Sequence, residues 1–324
     1  MAVSIIVATY NRATLLDECL GHLGRQRFRA GDEVMVVDNG STDDTAAVVA
    51  RHRSGYAVPL HLLHEPLPGK SRAIARALIA AAGDVLAFTD DDVNVDDGWL
   101  DAVRAAMADP DVALMGGPVA PRWHPAVPQW IRRARERHPR LGAPLALLDY
   151  GDRPAALGPR TVLGANMAVR RQLFTELGGF PSHLGKLRGT LLSGEDHELC
   201  RRVQSAGFRA MYFPGAVVHH LVPADRARVP YFLKWFFWSG ITHAIMDGEA
   251  ARPTGRLAIA GLPLYLIRRA AISSAGVIAG LLTCRWTSAL NCAIDVAFTA
   301  GYAAERWGVV AAARGTPAAA GETV

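Results

Sequence analysis

Four short apolar runs in the first third of the chain alternate with stretches of helical periodicity. The runs are Val3–Ala8, Val34–Val37, Leu60–Leu63 and Val85–Phe88. Continuous β-branched and aliphatic runs of this length predict strands that are buried on both faces. The stretches between them carry apolar residues three or four positions apart, which is typical of helices that cover a sheet. The order β-α-β-α-β-α-β predicts a doubly wound α/β sheet with parallel strands.

Polar residues follow each of these apolar runs directly. They are Thr9–Arg12 after the first run, Asp38–Thr42 after the second, Pro68–Arg72 after the third and Asp90–Asp92 after the fourth. In doubly wound sheets, ligands bind outside the carboxyl ends of the strands. The four polar segments therefore predict one binding site at a single edge of the sheet.

Three consecutive carboxylates, Asp90, Asp91 and Asp92, end the fourth run. Adjacent like charges repel, and burying them costs several kcal/mol unless a cation lies between them. On an extended strand Asp90 and Asp92 point to the same side and Asp91 to the other. Two carboxylates on one side suit a divalent cation that also holds phosphate oxygens, so Mn²⁺ or Mg²⁺ is expected. A solvated acidic turn is the alternative.

Composition and motifs exclude several classes of protein. The chain has 324 residues, of which 50% are hydrophobic, which predicts one or two domains with a large core. The net charge of +5 is modest and no nucleic-acid-binding motif accompanies it, so no nucleic acid partner is expected. Neither G-x-G-x-x-G nor G-x-x-x-x-G-K-[ST] is present, which disfavours dinucleotide dehydrogenases and P-loop NTPases.

The spacing of the cysteines and the first residues of the chain indicate the cellular compartment of the protein. Cys19, Cys200, Cys284 and Cys292 are scattered and show no C-x-x-C spacing, which is typical of a reducing compartment. The chain enters a predicted strand at Val3 with no basic, apolar leader before it. A cytoplasmic protein is therefore expected.

The polar segments, taken together and in order, resemble family 2 glycosyltransferases, which have the GT-A fold. The matching segments are residues 4–12, 36–43, 69–71 and 89–92. The resemblance implies a metal-dependent, inverting enzyme. In it, Asp38 would form a hydrogen bond to the nucleotide base, usually uracil, and Asp90 and Asp92 would bind the ribose and the metal. The donor-binding residues that it implies are Thr9, Tyr10, Asn11, Arg12, Asp38, Gly40, Ser41, Lys70, Arg72, Asp90 and Asp91.

The same resemblance extends into the second half of the chain. It places Gly164 and Asn166 in a turn under the donor sugar, and Glu195 and Asp196 on the acceptor side. An acceptor hydroxyl must lose its proton as it attacks, so a carboxylate must lie within hydrogen-bond reach. We assign that role to Asp196 and expect Glu195 to orient the acceptor or the loop. Acidic residues also favour a helix N-terminus, which is the alternative explanation.

Two adjacent histidines, His219 and His220, end the segment 216–220, which follows the predicted strand Ala210–Phe213. A neutral imidazole suits Mn²⁺ and similar ions. The resemblance allows a histidine at this point as a third metal ligand. The spacing to Val222 and Pro223 favours His220 as this ligand, with His219 as the alternative. A histidine with a purely structural role is the other possibility.

The C-terminal third contains an aromatic cluster and two uncharged runs. The cluster spans Tyr231–Trp238, and the runs are Leu257–Ile267 and Ala270–Cys284. Neither run has the roughly 20 residues that a membrane-spanning helix needs, so helices lying on a membrane surface are expected. A helical hairpin packed on the catalytic domain, or a homodimer interface, is the alternative. The arginines that flank these runs are Arg252, Arg256, Arg268, Arg269 and Arg285.

An arginine-rich segment lies between the two halves of the chain. Its basic residues are Arg132, Arg133, Arg135, Arg137 and Arg140. They either meet an anionic lipid or acceptor, or form a solvated helix face.

These features predict the organisation and activity of the whole chain. Residues 1–224 would form a GT-A catalytic domain, with a nucleotide-sugar half at 1–118 and an acceptor half at 119–224. Residues 225–312 would form a helical, membrane-associated extension, and 313–324 a disordered tail.

The expected activity is inverting transfer from a nucleoside-diphosphate sugar to a hydroxyl of a glycan, lipid-linked or small-molecule acceptor. We expect this to occur in polysaccharide or cell-envelope synthesis at the inner membrane face. A sugar nucleotidyltransferase, or a nucleotide-sugar-binding subunit without catalysis, is the alternative.

Overall fold

The computed structural model describes residues 1–181, 184–185, 190–249 and 258–309. The predicted tail at 313–324 and the flanking Arg252 and Arg256 lie outside the described residues. The first half contains β1 Val3–Thr9, α1 Ala13–Leu23, β2 Glu33–Asp38, α2 Thr45–Arg53, β3 Leu60–His64, α3 Lys70–Ala80, β4 Val85–Asp90, β5 Val93–Val95, α4 Trp99–Met107, β6 Val112–Gly116 and β7 Val119–Trp123.

The second half is richer in helix. It contains α5 Gln129–Arg137, a 3-10 helix Pro139–Leu145, β8 Ala155–Ala156, β9 Asn166–Arg170, α6 Gln172–Leu177, α7 Glu195–Ser205, β10 Arg209–Tyr212, β11 Val218–Val222, α8 Val229–Glu249, β12 Ala258–Ile259, β13 Leu262–Pro263, α9 Leu264–Leu282 and α10 Trp286–Arg306.

An eight-stranded sheet forms the centre of the protein, in the order β3-β2-β1-β4-β9-β6-β10-β8. The neighbours within β3-β2-β1-β4 are all parallel, as the apolar runs predict. β9 runs antiparallel between β4 and β6, so the complete sheet is mixed. The apolar residues of β1, β2 and β4 are almost fully buried because helices cover both faces. Polar strand ends therefore meet at one edge of the sheet.

A smaller sheet, in the order β5-β11-β7, lies beside that edge. β11 pairs antiparallel with β5, and His220 lies opposite Val93. The Leu221 N–H donates to the Asp92 carbonyl at 3.0 Å, which fixes β11 against the acidic turn. This register brings His220 to the carboxylates, whereas His219 pairs with Asp96 at 2.8 Å.

The aromatic cluster of α8 is largely internal. Phe232 and Phe236 are 1% and 6% exposed, so the expectation that the whole cluster lies on a bilayer surface is wrong for these two residues. They pack into a second apolar core because α8 crosses between α10 and the segment that holds α5 and the 3-10 helix. Other buried members of this core are Val127, Ile131, Leu141, Leu145, Leu290 and Ile294.

The last four residues of the first uncharged run and most of the second lie in one helix, α9, whereas the sequence suggested that Arg268 and Arg269 separate the two runs. Arg269 does not break the helix because its guanidinium pairs with the buried Asp295 of α10. Within the described part of the chain, α9 is the one helix long and apolar enough to cross a membrane by length and composition alone, with 19 residues and a mean hydropathy of 1.3. Only 17% of its apolar window is buried, so most of α9 faces outward.

Candidate active site

Asp90, Asp92 and His220 form the centre of the site. One ligand atom from each lies within 4.8 Å of the other two. Asp90 ends β4 and Asp92 lies in the following turn, while His220 comes from β11 of the smaller sheet. His220 Nε2 is 3.4 Å from Asp92 Oδ1, and both side chains are buried. These three residues thus converge from two sheets as the sequence predicts.

Two cations partly neutralise the acidic turn. Arg12 Nη1 donates to Asp91 Oδ1 and to Asp92 Oδ2, both at 2.9 Å. Lys70 Nζ forms an ion pair with Asp90 Oδ1. Three carboxylates therefore face two cations, which leaves one surplus negative charge for a further cation to balance. The Arg12 guanidinium holds the acidic turn in this way, and its side chain remains 37% exposed.

Burial alters the proton affinity of this cluster. It raises the pKa of Asp91 to about 6, against the opposing effect of Arg12. Thr9 Oγ1 donates to Asp91 Oδ2 at 2.9 Å, so Asp91 is held inside by Thr9 and Arg12. Burial alone would lower the pKa of Lys70, but the carboxylates of Asp90, Glu195 and Asp196 outweigh it and raise that pKa. Lys70 therefore stays charged between the acidic turn and α7.

The loops after β1 and β2 are joined by hydrogen bonds. The Asn11 N–H donates to Ser41 Oγ at 2.9 Å, and Asn11 Oδ1 accepts from the Thr42 N–H at 2.7 Å. Asp38 Oδ1 accepts from the Ser41 N–H at 2.8 Å. Gly40 has a φ of +79°, which a residue without Cβ adopts freely. The two loops thus form a fixed rim.

Tyr10, in the first of these loops, is 39% exposed at the rim. Arg72 is also exposed, on the first turn of α3.

Asn39 is a positioning residue that sequence reasoning missed. Its Nδ2 donates to the carbonyls of Glu65 and Leu67 at 2.9 and 2.7 Å, and its Oδ1 accepts from the Gly69 N–H at 2.8 Å. It therefore ties the loop after β2 to the turn that presents Lys70. Its position directly after Asp38 at a strand end was the available signal.

Asp196 lies in the first turn of α7 and borders a cavity of about 220 Å³. Its Oδ2 accepts from the Gly164 N–H at 3.1 Å. Burial raises the pKa of Asp196, while that N–H and Lys70 act in the opposite direction. Glu195 is 7% exposed, and its Oε2 accepts from the Gly194 N–H at 3.0 Å. The cavity is also lined by Asp90 and Lys70, so one carboxylate of the candidate metal cluster and Asp196 border the same cavity.

Asn166 has a different role from the donor contact expected of it. Its side chain is fully buried, its Oδ1 accepts from Trp99 Nε1 at 2.9 Å, and its Nδ2 donates to the carbonyls of Pro118 and Ala216. Both ends of the amide are thus used within the fold. Asn166 ties β9 to α4 and to the segments that precede β7 and β11.

Part of the cavity wall comes from α8, which sequence reasoning did not assign to the site. Tyr231, Trp235, Ser239, Thr242 and His243 line it. The aromatic run was visible in the sequence but was interpreted as a membrane contact. The C-terminal helical region therefore contributes to the site itself.

The residues present fit a divalent cation. Among the described residues, Asp92 Oδ1 is buried without a hydrogen-bond partner, 3.4 Å from His220 Nε2. A buried, unsatisfied carboxylate oxygen is costly, and a bound cation would remove that cost. Two carboxylates and one imidazole are also a donor set that Mn²⁺ accepts.

Comparisons with known proteins agree with this geometry. The family described as Glycosyl transferase family 2 matches residues 4–178. The succinoglycan biosynthesis protein ExoM of Rhizobium meliloti is 31% identical over 267 residues, which cover 80% of each chain. The glucosyl-dolichyl phosphate glucuronosyltransferase of Haloferax volcanii is 26% identical over 254 residues, covering 76% of this chain and 78% of that one.

A solved structure extends the similarity to nearly the whole fold. The mannosyltransferase PcManGT of Pyrobaculum calidifontis, in complex with GDP-Man and Mn²⁺, superposes with a TM-score of 0.61 at 26% identity. The match covers 92% of this chain and 86% of that chain. It therefore includes the C-terminal helical region as well as the sheet.

Proposed function

This chain belongs to glycosyl transferase family 2, and we propose that it transfers a sugar from a nucleoside-diphosphate sugar to an acceptor hydroxyl with inversion. Its membership of the family, its GT-A fold and its class as a glycosyltransferase are confirmed by the matches. The observation that carries the proposal is the shared cavity, which is lined by Asp90, Lys70 and Asp196 together. A donor diphosphate and an attacking hydroxyl need those two kinds of group in one space.

For the donor side, we propose that Asp90, Asp92 and His220 hold Mn²⁺ or Mg²⁺. The unsatisfied Asp92 Oδ1 and the surplus negative charge support this, as does the Mn²⁺ of the similar mannosyltransferase. The cation would supply charge neutralisation for the departing diphosphate. Lys70, which is partly buried and charged, would add a second positive group toward the same phosphates.

For the nucleoside, we propose the rim made by Thr9 to Arg12 and Asp38 to Ser41. Asp38 would accept from the N–H of a uracil ring, as the family resemblance implies. The similar mannosyltransferase carries a guanosine donor, so a GDP-sugar is the second candidate. Asp38 Oδ2 lies 3.7 Å from His64 Nδ1, and this pair gives the rim both an acceptor and a donor.

For the chemical step, we propose that Asp196 accepts the proton of the attacking hydroxyl. Burial raises its pKa, which strengthens it as a base, while the Gly164 N–H and Lys70 oppose that rise. Glu195 would hold the loop through Gly194 and so orient the acceptor. One displacement inverts the anomeric centre, whereas a double displacement needs a second carboxylate as nucleophile on the opposite face of the sugar.

For the acceptor, we propose a glycan, most simply a lipid-linked one, used in cell-envelope polysaccharide synthesis. Tyr231 and Trp235 in the cavity wall offer aromatic faces against which a sugar ring can stack. One relative is named for succinoglycan synthesis and another for a dolichyl phosphate substrate. The outward apolar face of α9 supports a peripheral contact with the inner face of the membrane.

The sugar nucleotidyltransferase alternative loses its support because the family match is to glycosyltransferases. We keep the proposed organisation of a catalytic domain at 1–224 and a helical region at 225–312. Its donor half is 1–118 and its acceptor half is 119–224. The role of α8 in the cavity wall adds that the helical region completes the acceptor side.

A panel of UDP- and GDP-sugars with Mn²⁺ tests the proposal, with thermal stabilisation and release of nucleoside diphosphate as readouts. We expect at least one donor to stabilise the protein and to be turned over only when metal is present. A matched pair of variants, Asp196→Asn and the exposed Asp97→Asn, separates catalysis from a general loss of charge. Turnover that survives in Asp196→Asn would contradict the assignment of the base.

A further inference from the structure

A second cavity lies at the junction of α5, α9 and α10. It is a groove of about 970 Å³, which is at the upper end of the range of small-molecule sites. Its lining includes Trp130, Arg137, Val277, Leu281, Arg285 and Trp286. None of these residues lines the cavity that contains Asp196. The groove is therefore a separate feature of the molecule.

One part of the groove is apolar and continues onto an outward helix face. Val277 and Leu281 lie one turn apart on α9, and Leu281 is 46% exposed. Ile278 and Leu282, on the same helix, are 60% and 81% exposed. A contiguous apolar strip of this kind is unusual on a soluble surface and marks an interaction site. It suits a hydrocarbon chain.

The other part of the groove is cationic. Arg137 ends α5 and Arg285 precedes α10, and both side chains are exposed. Within the described part of the chain, neither guanidinium has a hydrogen bond or an ion pair. Trp130 and Trp286, which lie beside them, are 41% and 64% exposed. Tryptophan and arginine side by side are typical of the level of lipid headgroups at a membrane surface.

We propose that this groove binds one anionic lipid. Its phosphate would lie between Arg137 and Arg285, and its chain along Val277 and Leu281. An anionic lipid would use both the two unneutralised guanidinium groups and the apolar strip, whereas free phosphate would use only the guanidinium groups. This inference does not depend on the proposed transfer reaction, since lipid binding is measured without any sugar donor.

Calorimetric titration of the full-length protein with a short-chain lipid below its micelle concentration tests the groove. The probes are dihexanoyl phosphatidic acid, dihexanoyl phosphatidylcholine and inorganic phosphate. We expect saturable binding of one phosphatidic acid per chain, at least ten-fold tighter than binding of either other probe. In Arg137→Gln/Arg285→Gln the affinity should fall about thirty-fold, because each basic group near a lipid phosphate contributes roughly five-fold.

The matched control is Arg133→Gln/Arg268→Gln, which removes two exposed charges from α5 and α9 outside the groove lining. This control should keep its affinity within about two-fold, and both double variants should unfold at the temperature of the unmodified protein. An equal loss in both double variants would mean diffuse attraction and would overturn the proposal. So would phosphate that binds as tightly as phosphatidic acid, or the absence of saturable lipid binding.

Discussion

The variant Asp92→Asn should be more stable than the unmodified protein without metal and less stable than it when Mn²⁺ is added. In metal-free protein Asp92 is 5% exposed and its Oδ1 has no hydrogen-bond partner among the described residues. An amide in its place keeps an oxygen for Arg12 and puts an N–H donor where Oδ1 lies, 3.4 Å from His220 Nε2. It also removes the surplus negative charge of the cluster.

The size of the effect follows from these contacts. An unsatisfied buried polar atom costs about 1–3 kcal/mol, so the metal-free variant should be more stable by about 1 kcal/mol or more. Each kcal/mol raises the melting temperature of a larger domain by about 2–4 °C, so the metal-free variant should melt about 2–4 °C higher or more. With Mn²⁺ at a hundred times its dissociation constant, the unmodified protein should gain about 2.7 kcal/mol. The variant should gain little, because a hard cation loses an anionic ligand.

Thermal unfolding in chelator and in Mn²⁺ measures both halves of this reversal. Asp97→Asn is the control, because Asp97 is an exposed carboxylate whose ion pair, among the described residues, is with Arg25 at 3.1 Å. It should change neither the metal-free melting temperature nor the response to Mn²⁺ by more than about 1 °C, as is usual for surface substitutions. A variant at position 92 that keeps the full Mn²⁺ response, or that melts below the unmodified protein in chelator, would refute the assignment of Asp92.

Three further predictions concern the base, the histidine beside it and the aromatic core. Asp196→Asn should bind donor normally but lose transfer about 10²- to 10⁴-fold, and a parallel fall in donor affinity in titration would make Asp196 a binding residue instead. Burial lowers the pKa of His197 from 6.5 to about 4. The unfolded chain therefore binds the proton first, and stability should fall on the order of 3 kcal/mol between pH 6.5 and pH 4. Urea unfolding at pH 5 and pH 7 should show a smaller difference in His197→Gln, and an unchanged difference would exclude His197 as the cause. Phe236→Ala should lower the free energy of unfolding in urea, without lipid, by about 3–5 kcal/mol, as expected for a core residue. A loss below about 1 kcal/mol would mean that Phe236 is not part of the core.

The strand ends and the acidic turn were readable from the sequence because their signals are local. Continuous apolar runs that stop at polar residues define both the strand and its carboxyl end. Asp90 and Asp92 follow from that pattern alone. His220 required knowledge of a related family, since its approach to Asp92 depends on β11 pairing with β5, more than a hundred residues earlier.

Other features depend on contacts that no local pattern carries. No pattern within the sequence of β9 indicates that this strand inserts antiparallel between β4 and β6. Asn166 was assigned to the donor from the family resemblance, and the partners that bury it, Trp99 and Ala216, lie 67 and 50 residues away in the chain. The aromatic run of α8 was assigned to a membrane because hydrophobicity does not distinguish lipid from protein core. The packing of Phe232 and Phe236 against α10 and the 3-10 helix decides that question.

The central claim is metal-dependent, inverting transfer at the cavity shared by Asp90 and Asp196. Real-time NMR of donor hydrolysis tests it directly, because water can replace the unknown acceptor and the first-formed sugar anomer is observed before it equilibrates. With an α-linked UDP- or GDP-sugar and Mn²⁺, we predict release of nucleoside diphosphate with the β-anomer appearing first, and no release in chelator or in Asp196→Asn. First appearance of the α-anomer, or equal release without metal, would contradict the claim.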